Sequence, residues 1–159
     1  MLSVWLAKTG KLRQQLSVIS NRVIKRFGGF PCAHRQWKAD SHCKFIHGYD
    51  RIVIIEWEGP RDETGWVLDF GGLKPLRETF ENQFDHTTLI SSDDPALDYF
   101  LKLSELDAMD LRIMDPTMEG MAEWVAVVAQ EFTNETFPGC KIVRVECWEN
   151  EKNCAVWVP

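Results

Sequence analysis

Two kinds of hydrophobic periodicity occur in this chain, and their order limits the folds open to it. Alternating or β-branched segments stand towards both ends, and helically spaced segments stand between them. The run from Val18 to Phe30, VISNRVIKRFGGF, alternates and predicts a strand, with Gly28 and Gly29 marking a bulge or a close backbone approach. The β-branched run RIVIIEW, Arg51 to Trp57, predicts a strand buried on both faces. After a turn at Gly59–Pro60, TGWVLDF from Thr64 to Phe70 reads as a short further strand. Near the C-terminus, Lys141 to Glu149 and Cys154 to Val158 form two strands around an Asn/Glu/Lys turn.

The middle of the chain has the period of helices. Leu73, Leu76, Phe80 and Phe84 recur at helical spacing in LKPLRETFENQF. A second helix starts at Asp94–Pro95, an N-cap followed by proline, with Leu97, Phe100, Leu101 and Leu103 on its apolar face. A third starts at Asp115-Pro116-Thr117 and runs to about Phe132. Paired strands with helices grouped between them imply an α+β fold, an antiparallel four-stranded sheet with helices on one face. Such a sheet has two open edges, so homo-oligomerisation by edge pairing is expected.

Composition narrows the functional classes. With 159 residues, of which 45% are hydrophobic, the chain suits one domain, since domains usually run to roughly 100–200 residues. Residues 18–159 are read as that domain and residues 1–17 as an N-terminal extension. No apolar stretch is long enough for a membrane span. The five cysteines have no regular spacing and no signal peptide is visible, so a reduced, cytoplasmic setting is expected. Residues 1–39 hold eight of the 18 Lys and Arg and none of the 24 carboxylates. That polarity suits an anion site, whereas the net charge of −6 and the absence of a recognition motif argue against nucleic acid.

Three of the four histidines, His34, His42 and His47, fall within 14 residues, together with Cys32 and Cys43. Imidazoles gathered on an irregular loop, read here as residues 31–48, suit a zinc ion, and a catalytic zinc takes three protein ligands. A polar loop whose histidines bond to backbone is the alternative. Asp85 and His86 are adjacent and suit an acid–base pair or a capped helix end. Cys43, four residues before His47, would have a lowered pKa beside a cation and serve as base or nucleophile. Glu146 lies in an otherwise apolar strand, facing either solvent or an amino-pyrimidinone ring whose N–H groups match its two oxygens.

Taken in order, FPCAH (30–34), CKFIHG (43–48), GWVLDFGGL (65–73), DH (85–86), PTME (116–119) and Glu146 resemble the 6-pyruvoyltetrahydropterin synthase / 6-carboxytetrahydropterin synthase family. The resemblance covers roughly residues 18 to 159. It implies a T-fold, two β-hairpins flanking helices, assembled into a barrel of four or six identical chains with sites between subunits. It further implies one zinc ion and a pterin triphosphate substrate, 7,8-dihydroneopterin triphosphate. The carboxy-forming members release acetaldehyde and triphosphate and leave 6-carboxy-5,6,7,8-tetrahydropterin, a precursor of queuosine and other 7-deazapurines. The other expectations are the pyruvoyl-forming synthase and a non-catalytic pterin-binding protein.

Carried over by motif, His34 and His47 would be zinc ligands, Cys43 the proton-abstracting base, and Asp85 with His86 a second acid–base pair. Glu146 would anchor the pterin ring, with Thr117 and Glu119 nearby, and Arg35 is a candidate for the triphosphate. The family motif ends His-Gly-His, but this chain reads His47-Gly48-Tyr49. A phenol has a pKa of about 10, so a metal must first deprotonate it. Tyr49 binding as phenolate, His42 taking its place, and a weak or absent metal site are the three outcomes open at this point.

Overall fold

A computed structural model describes residues 20–159. Residues 1–19, which include the expected extension and the first two residues of the expected domain, lie outside the described part. The fold is α+β, but the sheet has six strands rather than four. They are β1 (Asn21–His34), β2 (His47–Gly59), β3 (Thr87–Ile90), β4 (Asp110–Ile113), β5 (Lys141–Trp148) and β6 (Cys154–Trp157), in the spatial order β4-β3-β1-β2-β5-β6. The sheet is mixed, because β1–β3 and β3–β4 pair in parallel and the other pairs are antiparallel.

β3 and β4 were not expected from the sequence. Each has four residues, and neither leaves room for an alternation to show. Conversely, the strand expected at Thr64–Phe70 does not form. Asp62 Oδ1 accepts bonds from the Thr64 and Trp66 amides and the Thr64 hydroxyl, and Asp69 Oδ1 accepts one from the Gly71 amide. These side chains supply local partners to the backbone and so replace a ladder with turns.

The three helices are α1 (Lys74–Phe84), α2 (Leu97–Glu105) and α3 (Met118–Thr136). α1 and α3 share one core with the sheet. Phe80 meets Phe27 of β1 edge to face at 5.3 Å, and Phe84 meets Trp124 of α3 at 5.2 Å. Trp57 of β2 is fully buried and donates its indole N–H to Thr133 Oγ1 at 2.9 Å, so the largest core side chain carries no orphaned donor. β2 is not buried on both faces as its composition suggested. Arg51, Val53, Ile55 and Trp57 are buried, whereas Ile52, Ile54, Glu56 and Glu58 between them are only half-buried.

The β1–β2 ladder runs from Asn21↔Gly59 to His34↔His47 and shifts register between Gly28 and Phe30. Gly29 there has φ +83°, a conformation open to glycine at little cost. The extra residue reverses the parity of β1. Before it, Phe27 faces the core; after it, Phe30, Cys32 and His34 do. The sequence expectation of a bulge at the paired glycines holds, and its effect is to turn His34 inward.

At the far end of the ladder the two strands approach closely. A Cβ on Gly48 would lie 2.9 Å from the Cys32 carbonyl oxygen and 3.2 Å from Ala33 Cα. Gly48→Ala therefore has to push β1 and β2 apart beside the His34↔His47 pair. Overpacking of this kind costs roughly 1–3 kcal/mol, and urea denaturation of the variant should show a loss of that size.

Candidate functional site

The loop end of the β1–β2 ladder brings His34 and His47 face to face, with ring centroids 4.2 Å apart. The Glu149 carboxylate enters from the bend after β5 and lies 3.6 Å from His34 Nε2. One donor atom from each of His34, His47 and Glu149 falls within 4.8 Å of the other two. Two imidazoles and a carboxylate at this spacing match a divalent, zinc-like ion in chemistry and number. Glu149 escaped the sequence reading, which named Glu146, three residues earlier, as the pterin anchor and no carboxylate as a metal ligand.

Glu146 is placed elsewhere. Its neighbours Val145 and Cys147 are fully buried, so alternation turns Glu146 to the opposite face of the sheet. There its carboxylate pairs with Arg144 at 2.8 Å and accepts the Trp148 indole N–H at 2.8 Å. Within this chain it does not reach the histidines.

His47 is oriented for a ligand role. Its Nδ1 lies 2.7 Å from the Phe45 carbonyl oxygen, which can only accept, so Nδ1 carries the proton and the Nε2 lone pair is left available. Tyr49 follows two residues along the same face, its ring 5.9 Å from that of His47 and partly exposed. The His42 ring is 6.5 Å from His47, on a short 3-10 turn (His42–Lys44) capped by Ser41, and is not one of the three clustered donors. Cys43 sits in that turn, half-buried and free. β1 extends to His34, so the irregular loop is shorter than the expected 31–48.

The second residue that escaped notice is Arg51. It is 1% exposed and lies on the same face of β2 as His47 and Tyr49. One guanidinium nitrogen, Nη2, is 2.6 Å from His34 Nδ1; the other, Nη1, touches Met118 Sδ and is 3.8 Å from a Glu149 oxygen. Its Nε has no hydrogen-bond partner among the described residues. The available signal was a basic residue in phase with Val53, Ile55 and Trp57 on a core-facing strand.

The remaining expected residues fall into two groups. Asp85 and His86 do touch, His86 Nδ1 lying 2.7 Å from Asp85 Oδ1, and both are open to solvent. His86 has φ +58° and lines a groove of about 520 Å³ together with Cys32, Tyr49 and Thr87. Thr117 caps α3, its hydroxyl accepting from the Gly120 amide and donating to Asp115. Glu119 lies exposed in the first turn of the same helix, next to the Met118 that contacts Arg51. Arg35 is ion-paired with the buried Asp94 at 2.8 Å and packs over Phe100, so it already has a structural partner.

Burial, then the Arg51 and His47 side chains, lowers the His34 pKa to about 3. The folded chain keeps this imidazole neutral, while the unfolded chain takes up the proton near pH 6.5. Between those values the unfolded state binds more protons, so His34 contributes stability above pH 6.5 that is lost as pH falls toward 3. Chelator-treated protein should therefore show a falling denaturation midpoint from pH 7 to pH 5 that His34→Gln flattens.

Comparison with known proteins bears on the fold and the family. Residues 23–158 match the family model described as 6-pyruvoyl tetrahydropterin synthase. The 6-carboxy-5,6,7,8-tetrahydropterin synthase of Rickettsia conorii is 26% identical over 111 residues, 69% of this chain and 75% of that protein. Among solved structures, the uncharacterized protein WS1659 from Wolinella succinogenes superposes with a TM-score of 0.77 at 20% identity, covering 88% of this chain and 98% of that one. A catalytic-residue mutant of Plasmodium vivax 6-pyruvoyltetrahydropterin synthase gives 0.63 at 16% identity, over 87% and 97% of the two chains. The likeness to the solved structures carries the T-fold, and the match along nearly the whole described chain carries the kinship: the protein belongs to the 6-pyruvoyl tetrahydropterin synthase family.

Proposed function

We propose that this chain is a lyase of the carboxy-forming pterin synthase type, converting 7,8-dihydroneopterin triphosphate to 6-carboxy-5,6,7,8-tetrahydropterin with loss of acetaldehyde and triphosphate. The observation that carries the proposal is the clustering of His34, His47 and Glu149 at the end of the central hairpin, in a family whose relatives include a protein named for that product. His34, His47 and Glu149 would hold a zinc ion, which when bound acidifies C–H and O–H bonds on the substrate side chain. The product would serve a pathway to queuosine-type 7-deazapurines.

The protein's own groups divide the remaining work. Cys43 would take a proton from the substrate side chain. The thiol sits on a turn fixed by the Ser41 cap, so it is held in place without being sealed in the core. Asp85 accepts the His86 Nδ1 proton and so orients His86, whose exposed imidazole can exchange a proton through Nε2. Glu146, which pairs with Arg144 and Trp148 in the single chain, would anchor the pterin ring, with the exposed Glu119 nearby. Thr117 would position Glu119 through its cap.

His86 and Asp85 are exposed in the single chain, and among the described residues the short β4 and β6 strands form the sheet edges with no further strand beside them. Both features support a homo-oligomer in which sites are completed between subunits. No helix among the described residues is long and apolar enough to cross a membrane, in keeping with a cytoplasmic enzyme.

Purified protein supplied with zinc and dihydroneopterin triphosphate should release acetaldehyde and the carboxylated pterin, followed by liquid chromatography and mass spectrometry. A pyruvoyl product would reassign it to the other branch of the family, and tight pterin binding without turnover would make it a binding protein. Cys43→Ala should keep its zinc and lose about 10²–10⁴ in turnover, the usual contribution of a positioned acid or base. Undiminished turnover in that variant would remove Cys43 from the base role.

A further inference from the structure

The three clustered donors share their space with a fourth group that the metal reading does not use. Arg51 is fully buried, its Nε without a hydrogen-bond partner among the described residues, and its Nη2 is 2.6 Å from His34 Nδ1 and 3.4 Å from His34 Nε2. Its other terminal nitrogen is 3.8 Å from Glu149. We propose that the Arg51 guanidinium is the resident cation of this site, and that a divalent ion binds only by displacing it. The proposal rests on the reading of His34, His47 and Glu149 as a metal site and adds what sets its affinity.

The argument starts from hydrogen-bond roles. A guanidinium has donors only, so at 2.6 Å His34 Nδ1 must accept. A neutral imidazole has one acceptor nitrogen, so the His34 proton then sits on Nε2, the atom that faces the Glu149 carboxylate at 3.6 Å. In that arrangement His34 has no lone pair for a metal. Ligation through Nδ1 would need the place Arg51 occupies. Ligation through Nε2 would move the proton to Nδ1 and set a donor against a donor. Arg51 and a metal on His34 therefore exclude one another.

Charge points the same way. Glu149 is the one carboxylate of the cluster, and Arg51 is already one of its counter-ions. A dication beside a buried guanidinium would face unscreened repulsion, with a single carboxylate between them. Departure of Arg51 from the histidine frees Nδ1 or Nε2 and Glu149 together. The guanidinium is held on its other side by Met118, whose thioether is a weak acceptor, so that contact is cheap to give up.

Chelator-stripped protein is titrated with zinc against a chromophoric chelator at neutral pH, alongside Arg51→Met and Arg51→Lys. Arg51→Met should bind one zinc per chain roughly tenfold or more tightly than the wild type, while Arg51→Lys, which keeps the charge, should stay weaker than Arg51→Met. Tight zinc in wild type and Arg51→Met alike overturns the proposal and leaves the metal reading standing; zinc in neither overturns both. Should Arg51→Met fail to fold, the decision passes to the wild type. Its Arg51 Nε–H nuclear magnetic resonance signal should move on saturation with zinc, and a signal that stays in place overturns the proposal.

Discussion

The pairing of β1 with β2 is the constraint from which the rest of this structure follows. It is the longest ladder in the sheet, it contributes the two central strands, and its loop end is the site. Side chains in a strand alternate strictly, so one residue more or less decides which of two faces a histidine meets. Without the additional residue at Gly29, the parity of Phe27 would carry to Cys32 and His34 with the opposite sign. His34 would then project from the exposed face of the sheet while His47 stayed on the other. The bulge is thus the local irregularity that makes a two-histidine site out of a regular hairpin. Gly48 has the complementary part: the absence of a side chain lets the two strands stay close where the rings must meet.

The same ladder couples the site to the core. Along β2 the inward face runs from His47 and Tyr49 through Arg51 to Val53, Ile55 and Trp57, so it passes from partly exposed polar groups to the centre of the core within one strand. Burial therefore rises steeply along the site. His34 and Arg51 lie on the dry side of that gradient, which disfavours the protonated imidazole and lowers the guanidinium pKa as well. Cys147, fully buried beside them, has its thiol pKa pushed upward by the same desolvation and is an inert core residue.

Much of this was legible in the sequence because periodicity and turn chemistry act locally. The long strands, the first and third helices and the glycine bulge all leave repeats or breakers that a reader can count. The parallel strands β3 and β4 leave neither. All four β3 residues are buried, and pairing in parallel with β1 is a long-range arrangement with no hairpin turn to announce it. The Thr64–Phe70 segment had apolar composition, but Asp62 and Asp69 bind its backbone first. The site residues divide along the same line. His34 and His47 were visible as types in a motif. Glu149 was not, because choosing between it and Glu146 requires knowing that Val145 and Cys147 face the core and that the strand ends at Trp148.

Arg51 was hidden for a further reason, and it bears on how the altered motif is understood. At the sequence level Tyr49 reads as one lost ligand in an otherwise intact set. The strand geometry joins it to a second feature, since positions 47, 49 and 51 share a face of β2 and Arg51 lies over the Tyr49 ring at 6.0 Å. A site with one imidazole fewer holds a dication less firmly, and a site with an internal guanidinium needs one less. The two features shift the charge balance of the site in the same direction. A neutral residue at position 51 would leave Glu149 facing neutral His34 without the counter-ion Arg51 now provides. The phenol at 49 and the guanidinium at 51 therefore bear on one property of the site, the positive charge it can take from a bound ion beside the charge the chain already places there.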